Sequence, residues 1–465
     1  MRGRERRAGA ALGRRGAALL PALVPLAVAT PLLAQEPPIE QGVRIGITYT
    51  PGLRPGMLVL ASTYGERLDS VRAIVARDLE FSDRFEMISL PGGDSLLLGL
   101  TQISSGGDEA AGTAIPFVNY SLYAALGADY AVAVGPDADS ARVRATLYDV
   151  RGETPRQVVR TDLPALDSPD FRMSAHRVAD EMVRAATGEP GFAATRLLFI
   201  QDGRLQRVDA DGADLGVISP PGITAFSPEW LPDAARVVYT ELSDGRGRIV
   251  IHDLVTGDRR AVPPTADLLN YAAAVSPNGE LLAFSRSGDE GTEVYRYNLA
   301  RDCCLERLTV GRFSDNLSPT FSPDGRQIAY VSTRPGLPQI YVMAADGTGQ
   351  ELFAPFDYGV TGSSNAPEWS PDGTRLAFHR DVQGSLQVFI MDARSRAVRQ
   401  LTSAGRNTDP TWAPDGRHLA FVSDRTGRRQ IWVIDIETGR VRQLTTVGDA
   451  RLPAWSPRIT MPTEP

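Results

Sequence analysis

Lysine, cysteine and histidine are scarce in this sequence of 465 residues, which has no lysine, two cysteines and four histidines. All its basic residues are arginines, which we attribute to the base composition of the source genome. The histidines are scattered, so none forms the i, i+4 pair of a zinc-protease helix. The sequence also lacks a Gly-x-Ser-x-Gly elbow and a Cys-x-x-Cys motif. We therefore predict a protein that is not an enzyme and that uses no cofactor and no metal, and a calcium ion, for which no ligand spacing is present, is the alternative left open.

The two cysteines, Cys303 and Cys304, are neighbours in the chain. Adjacent residues do not easily reach the ordinary geometry of a disulfide. The pattern favours two packed or half-exposed thiols in a strand-to-loop region. A vicinal disulfide, or a redox switch made from it, is the alternative that the sequence leaves open.

The first 34 residues differ in chemistry from the rest of the chain. Six arginines and one glutamate accompany an apolar run, residues 17–34, which three prolines interrupt. This pattern is typical of a secretory signal peptide, with cleavage after Ala29 or Ala34, and the run is too short and broken for a stable membrane span. We predict that the chain is exported and that the mature protein has no transmembrane segment.

The mature chain is acidic. Residues 1–34 carry a net charge of +5, so their removal changes the formal net charge from -7 to -12. A negative surface repels phosphate backbones. Nucleic acid is therefore not expected as a partner.

The second half of the sequence contains a repeat. Six segments share a Ser-Pro or Ala-Pro pair, and successive prolines are separated by 49, 46, 48, 43 and 43 residues. Periods of this length, with four strands in each, are typical of β-propeller blades. The prolines are Pro228, Pro277, Pro323, Pro371, Pro414 and Pro457.

The first and last repeats complement each other. Residues 195–219 supply three strands without an opening strand, and Leu452–Ser456 is an opening strand with nothing after it. Pairing of the two would close the ring and remove its free edges. The repeat region is therefore predicted to be an all-β six-bladed propeller that the C-terminal strand closes.

An α/β segment precedes the propeller. Apolar residues at helical spacing predict one helix around Leu68–Leu79 and another over 169–187 that Gly188 ends, with strands between them. The fold class is thus a two-domain chain, an α/β N-terminal domain followed by the propeller. The predicted boundaries are 1–34 for the signal peptide, 36–190 for the front domain, 191–458 for the propeller and 459–465 for a tail.

Several stretches resemble the TolB family, the periplasmic proteins of the Tol-Pal envelope system. They are Gly127–Tyr130, Leu147–Val150, Ala175–Glu181, Thr187–Gly191 and Phe192–Arg196. The family has the same order of domains, a front domain followed by six blades, so the resemblance covers nearly the whole mature chain. The resemblance implies an adaptor that binds Pal, the peptidoglycan-associated lipoprotein, and that supports envelope integrity and outer-membrane constriction in cell division.

The family also implies where partners bind. Loops that lead into the innermost strand of each blade are expected to form a polar ring around the mouth of the central channel. We predict that a Pal-like lipoprotein binds this ring, at Leu269, Asn270, Tyr271, Ala272, Asp315, Asn316, Leu317, Ser364, Asn365, Asn407, Thr408, Asp409, Asp449 and Arg451. By the same resemblance, a TolA-like inner-membrane protein would bind the N-terminal strand Val43, Arg44, Ile45, Gly46 and Ile47. Two alternatives stay open, a general extracytoplasmic propeller scaffold and a carbohydrate-active propeller enzyme with paired carboxylates in its channel.

Overall fold

The computed structural model describes residues 54–61, 65–89, 101–102, 116–137, 142–243, 246–263, 268–353 and 362–460. The predicted signal peptide, the predicted strand Val43–Ile47 and the C-terminal residues 461–465 lie outside this part of the chain. None of the helices in the described ranges is long and apolar enough to cross a lipid bilayer.

The front domain contains seven strands and three helices within the described residues. The strands are β1 (Gly56–Val59), β2 (Glu86–Ile88), β3 (Thr101–Gln102), β4 (Pro116–Phe117), β5 (Tyr130–Pro136), β6 (Arg142–Asp149) and β7 (Thr154–Asp162), and the helices are α1 (Glu66–Phe81), α2 (Tyr120–Ala125) and α3 (Phe171–Thr187). One sheet has the order β2-β1-β5-β6-β7, and β3 pairs with β4 separately. The α/β class is confirmed, although the short helix α2 was not predicted.

The two long helices pack on one face of this sheet. Val71, Val75 and Leu79 of α1 and Val178 and Met182 of α3 lie in one buried cluster with the inward side chains of the strands. These residues recur at four-residue spacing, so each helix buries one apolar stripe. Helix α3 ends at Gly188, whose φ of 83° is the left-handed conformation that glycine adopts most easily.

The propeller consists of six four-stranded sheets. Blade 1 contains β8 (Arg196–Gln201), β9 (Arg204–Asp209), β10 (Gly216–Val217) and β31 (Ala450–Trp455). Blade 2 contains β11 (Thr224–Trp230), β12 (Arg236–Ser243), β13 (Arg246–Asp253) and β14 (Arg259–Ala261); blade 3 contains β15 (Asn270–Val275), β16 (Leu281–Gly288), β17 (Gly291–Asn298) and β18 (Cys303–Arg307).

The remaining three blades repeat the same arrangement. Blade 4 contains β19 (Asn316–Phe321), β20 (Gln327–Ser332), β21 (Gln339–Ala344) and β22 (Glu351–Leu352); blade 5 contains β23 (Ser364–Trp369), β24 (Arg375–Val382), β25 (Ser385–Asp392) and β26 (Val398–Gln400); blade 6 contains β27 (Asn407–Trp412), β28 (His418–Ser423), β29 (Gln430–Asp435) and β30 (Val441–Gln443). β31 pairs with β8, as predicted, and thereby completes blade 1.

Each inner strand carries a β-bulge near its start. The register shifts once in the pairing of the inner strand with the next strand in every blade. A bulge leaves one residue unpaired and bends the strand. The unpaired positions have φ between 45° and 53°, and they are Ser227, Ala272, Ser318, Ala366, Asp409 and Leu452.

The repeat was aligned wrongly in blade 2. Trp230 pairs with Val237 as Trp369 pairs with Leu376, so the turn of blade 2 begins at Leu231-Pro232. Pro228 instead follows the bulge inside β11. The misleading Ser-Pro pair made the first spacing long, whereas Pro232 lies 45 residues before Pro277.

The cysteine prediction also needs correction. Cys303 and Cys304 form a disulfide rather than two thiols. Their Cα atoms are 3.8 Å apart, and Cys304 has a φ of 66°. The left-handed backbone at Cys304 is the local feature that the sequence argument did not include.

Candidate functional site

The predicted Pal-binding residues lie at one end of the propeller, where the inner strands begin. We call this end the mouth. Because adjacent strands of a blade are antiparallel, the turn after each inner strand lies at the opposite end. The structure therefore brings the residues on five inner strands to one face, with β15, β19, β23, β27 and β31 beginning at Asn270, Asn316, Ser364, Asn407 and Ala450.

Four of the predicted residues are buried and have partners within the chain. Each receives a hydrogen bond from an arginine near or just after the end of the second strand of its blade: Arg286 Nε to Asn270 Oδ1 at 2.7 Å, Arg334 Nη2 to Asn316 Oδ1 at 3.1 Å, Arg380 Nε to Ser364 Oγ at 2.9 Å and Arg425 Nη2 to Asn407 Oδ1 at 3.0 Å. Each guanidinium also lies over two aromatic rings of its blade. These side chains shape the mouth from beneath its surface, and direct contact of a partner with them stays a prediction.

The other predicted residues form the accessible rim of the mouth. They are at least partly exposed: Leu269, Tyr271, Ala272, Asp315, Leu317, Asn365, Thr408, Asp409, Asp449 and Arg451. Asp449 accepts hydrogen bonds from Arg429 Nη2 and Arg451 Nη2, each at 2.6 Å. The Asp315 carboxylate accepts from the Thr292 amide at 2.9 Å. The rim thus offers oriented polar groups from several blades.

An apolar residue that the sequence analysis did not select stands beside this rim. Phe313, in the loop before β19, is 89% exposed. Its φ is 59°, an unusual conformation for an aromatic residue. Its amide donates to the Glu290 carbonyl at 3.0 Å, which fixes the loop. Exposed aromatic rings of this kind are frequent anchors in protein interfaces.

Two glutamates of inner strands interact in the propeller channel, and sequence analysis did not identify them. Burial, together with the charge of Glu368, raises the pKa of Glu229 to about 8. Burial raises the pKa of Glu368 to about 7, although the Trp412 amide and Thr411 Oγ1 donate to its Oε1 at 2.8 and 2.9 Å. Both carboxyl groups therefore titrate near neutral pH, at about 8 and about 7.

The front domain contacts the propeller end opposite the mouth through two buried histidines. His176 of α3 donates from Nδ1 to Asp78 of α1 at 2.7 Å, and its Nε2 lies 3.7 Å from Asp209 of blade 1. His418 of blade 6 donates from Nδ1 to Asp415 at 2.7 Å, and its Nε2 lies 3.6 Å from Asp83 of the front domain. Each histidine is held by its own domain and points at a carboxylate of the other. We call these two contacts the clasp.

Arginines complete the charge balance of the clasp. Arg77 and Arg172 of the front domain pair with Asp211 of blade 1, and Arg440 of blade 6 pairs with Asp83 at 2.9 Å. Desolvation lowers the pKa of His176, but the opposing effect of Asp78 and Asp209 is larger and raises it to about 10. Desolvation likewise opposes the effect of Asp415 on His418, whose pKa is also raised. The clasp is therefore a set of interdomain ion pairs at neutral pH.

Two groups in this interface bring three candidate metal-binding atoms close together, Asp78 with His176 and Asp211, and Asp83 with His418 and Asp435. Asp211 is already paired with two arginines. Asp435 accepts from both Nε and Nη2 of Arg417. Because these guanidinium groups supply the positive charge that a metal ion would bring, the groups fit an ion-pair network better than a metal centre.

Comparison with known protein families identifies the propeller. The profile described as the TolB beta propeller domain matches residues 183–355 and 358–461. The Tol-Pal system protein TolB of Anaeromyxobacter dehalogenans strain 2CP-1 is 34% identical over 317 residues, which cover 65% of this chain and 67% of that protein. The TolB of strain 2CP-C of that species is 34% identical over 310 residues, 64% of this chain and 67% of that protein.

A solved structure supports the two-domain arrangement. The crystal structure of TolB from Acinetobacter baumannii matches with a TM-score of 0.72 and 24% sequence identity, and the match covers 87% of this chain and 97% of that chain. At this identity the likeness establishes the fold, and it extends over the front domain as well as the blades.

Proposed function

We propose a function for this chain on the premise that it belongs to the TolB family. In this proposal the protein is exported to the periplasm and acts as a non-catalytic adaptor of the Tol-Pal system. It binds a Pal-like peptidoglycan-associated lipoprotein at the mouth and supports envelope integrity and outer-membrane constriction during cell division. A TolA-like inner-membrane protein would be the second partner.

The arrangement of the mouth supports this proposal most strongly. Residues of several blades present polar groups on one face, with the exposed Phe313 beside them. On the rim, the Asp449 carboxylate is held by Arg429 and Arg451, so these side chains lose little entropy when a partner binds. A preorganised polar rim with an aromatic anchor suits a folded protein partner.

Titration calorimetry with the purified Pal-like protein of the source organism tests the proposal. We expect Arg451→Ala on the rim to weaken binding about tenfold or more, equivalent to about 1.4 kcal/mol. Arg326→Ala is the matched control, because Arg326 is an exposed arginine in a turn at the opposite end of the propeller. Absence of binding, or equal effects of the two variants, would contradict a partner site at the mouth.

The proposed mechanism couples the mouth to the N-terminal strand. In this mechanism the predicted strand Val43–Ile47 detaches from its own domain, while remaining part of the chain, and adds to the sheet edge of a TolA-like partner by β-augmentation. Deletion of residues 36–47 is then expected to leave the propeller folded but to change the affinity for the Pal-like protein. Equal affinities of the intact and the truncated chain, measured by calorimetry, would mean that the strand and the mouth act independently.

The Glu229–Glu368 pair is the specific observation that favours a second candidate, an enzyme acting on glycans in the channel. Two carboxylates with raised pKa values can serve as acid and base in glycoside cleavage. This candidate predicts turnover of an oligosaccharide panel by the wild-type protein and its loss in the Glu229→Gln and Glu368→Gln variants. No turnover across the panel would leave the adaptor as the proposed function.

A further inference from the structure

The disulfide between Cys303 and Cys304 joins the two cysteines of the whole sequence. It lies at the start of β18, the outermost strand of blade 3. Cys304 is exposed and Cys303 is half-buried. No strand of the described residues pairs with the outer edge of β18, so a reagent in solution can approach the bond.

This bond is poorly suited to stabilising the fold. A disulfide stabilises mainly by restricting the unfolded chain, and the effect grows with the number of residues between the cysteines. Cys303 and Cys304 enclose no intervening residue. The bond therefore restricts the unfolded chain very little, and a structural role does not account for it.

The backbone at the bond is left-handed. Cys304 has a φ of 66° and Asp302 has a φ of 50°. Cys304 and Leu305 together lie opposite the single residue Tyr297, so the strand contains a bulge at the disulfide. Left-handed backbone in residues other than glycine has a conformational cost. A disulfide between adjacent residues restricts the backbone that joins them, so the conformation of Cys304 is the feature that reduction can change.

The residue before the disulfide, Asp302, takes part in a contact between blades 2 and 3. The Asp302 carboxylate accepts hydrogen bonds from Arg260 Nη1 of blade 2 at 3.0 Å and from Tyr297 Oη of blade 3 at 3.1 Å. A change in the backbone at residues 302–304 therefore acts on a link between two blades.

We propose that Cys303–Cys304 is a reversible thiol–disulfide exchange site for a dithiol, and that its reduction loosens β18 while the propeller stays folded. A thiolate of the dithiol attacks Cys304 Sγ, the S–S bond breaks, and Cys303 leaves as a thiolate that takes up a proton. The second thiol of the reductant then attacks the mixed disulfide and releases Cys304 as a thiol. The reductant becomes a disulfide, and two electrons and two protons pass to the chain.

Alkylation with mass spectrometry tests the first part of the proposal. Mature protein secreted into an oxidising compartment is treated with iodoacetamide, with or without dithiothreitol, in native buffer. We expect no alkylation without reductant and two carbamidomethyl groups after reduction, with unchanged tryptophan fluorescence. Alkylation before reduction, or reduction only in denaturant, would overturn the proposal.

Hydrogen exchange tests the second part. Reduction is expected to accelerate amide exchange in β18 on the order of tenfold, with no change in the outer strand of blade 5. The double variant Cys303→Ser/Cys304→Ser should exchange like the reduced protein whether or not dithiothreitol is present. Unchanged exchange in β18 after complete reduction would mean that the bond does not control this strand.

Discussion

Asp83→Asn tests whether the clasp couples the two domains. Asp83 follows α1 and faces His418 Nε2 at 3.6 Å and Arg440 Nη1 at 2.9 Å, both in blade 6. Its φ of 53° suits asparagine as well as aspartate. The substitution therefore removes the charge with little change in shape, and it leaves two cations of the propeller without this carboxylate.

The expected cost is about 2–3 kcal/mol. Removal of one partner from a buried ion pair costs roughly 3–5 kcal/mol. Asp83 is 8% exposed, but the Arg440 side chain is 46% exposed, so solvent screens part of that interaction. Asp137→Asn is the matched control because Asp137 pairs with Arg160 inside the front domain, and we expect it to cost less than about 1 kcal/mol.

The chain allows each domain to be followed separately. All five tryptophans lie in propeller strands: Trp230, Trp369, Trp412, Trp432 and Trp455. All helices of the described residues lie in the front domain. During denaturant unfolding, tryptophan fluorescence therefore reports the propeller, and circular dichroism at the helix band reports mainly the front domain.

We expect coincident transitions for the wild-type protein and an earlier helix transition for Asp83→Asn. The raised pKa of His176 determines how the stability of the clasp depends on pH. The stabilisation from protonated His176 is complete below about pH 6.5 and is lost as the pH rises towards about 10. Wild-type transitions should accordingly separate at alkaline pH. If Asp83→Asn changes neither transition more than Asp137→Asn does, the clasp does not couple the domains.

Two further predictions concern buried carboxylates. Because burial raises the pKa of Glu229 to about 8 and that of Glu368 to about 7, their protonated forms favour the folded state, and stability should fall as the pH rises from about 4.5 to 8. Glu229→Gln with Glu368→Gln should stabilise the protein by about 2 kcal/mol or more at pH 8 and little at pH 4, as thermal unfolding at both pH values would reveal; equal effects at both would contradict this. Gly191→Ala would place its Cβ 2.2 Å from Asp180 Oδ1 and should cost about 1–3 kcal/mol in denaturant unfolding. Gly216→Ala, with no atom within 4 Å of its Cβ, is the control, and similar costs would refute the steric argument.

The blade count was predictable because it depends on a local repeat. Each blade needs a turn after its inner strand, and these turns appear in the sequence as a motif of the Pro-Asp-Gly type that recurs at regular spacing. The alignment of blade 2 was wrong because Ser227-Pro228 has the same Ser-Pro pair that begins the turn in other blades. The register of β11 places the turn of blade 2 at Pro232. Helix α2 was missed although Asn119 caps it by accepting a hydrogen bond from the Leu122 amide at its Oδ1, and an asparagine at this position is a signal that the sequence contains.

The buried polar contacts of the channel and of the clasp were less predictable, because the residues that form each contact are distant from each other in the chain. Glu229 and Glu368 belong to blades 2 and 5, and His418 meets Asp83 across the domain interface. Residue type alone also could not separate the buried Asn316 from the half-exposed Asn365, since both occur near the start of an inner strand. Burial depends on the pleat and the bulge of each strand, which become visible only in three dimensions.

Hydrogen exchange of the mature protein with and without the purified Pal-like lipoprotein tests the central claim most directly. The adaptor account predicts that binding slows amide exchange at the mouth, in the loops before β15, β19 and β27 and around Phe313. The turns at the opposite end, including the one that carries Arg326, should be unaffected. Protection confined to the front domain or to those turns, or no protection at a saturating concentration of the lipoprotein, would contradict the account.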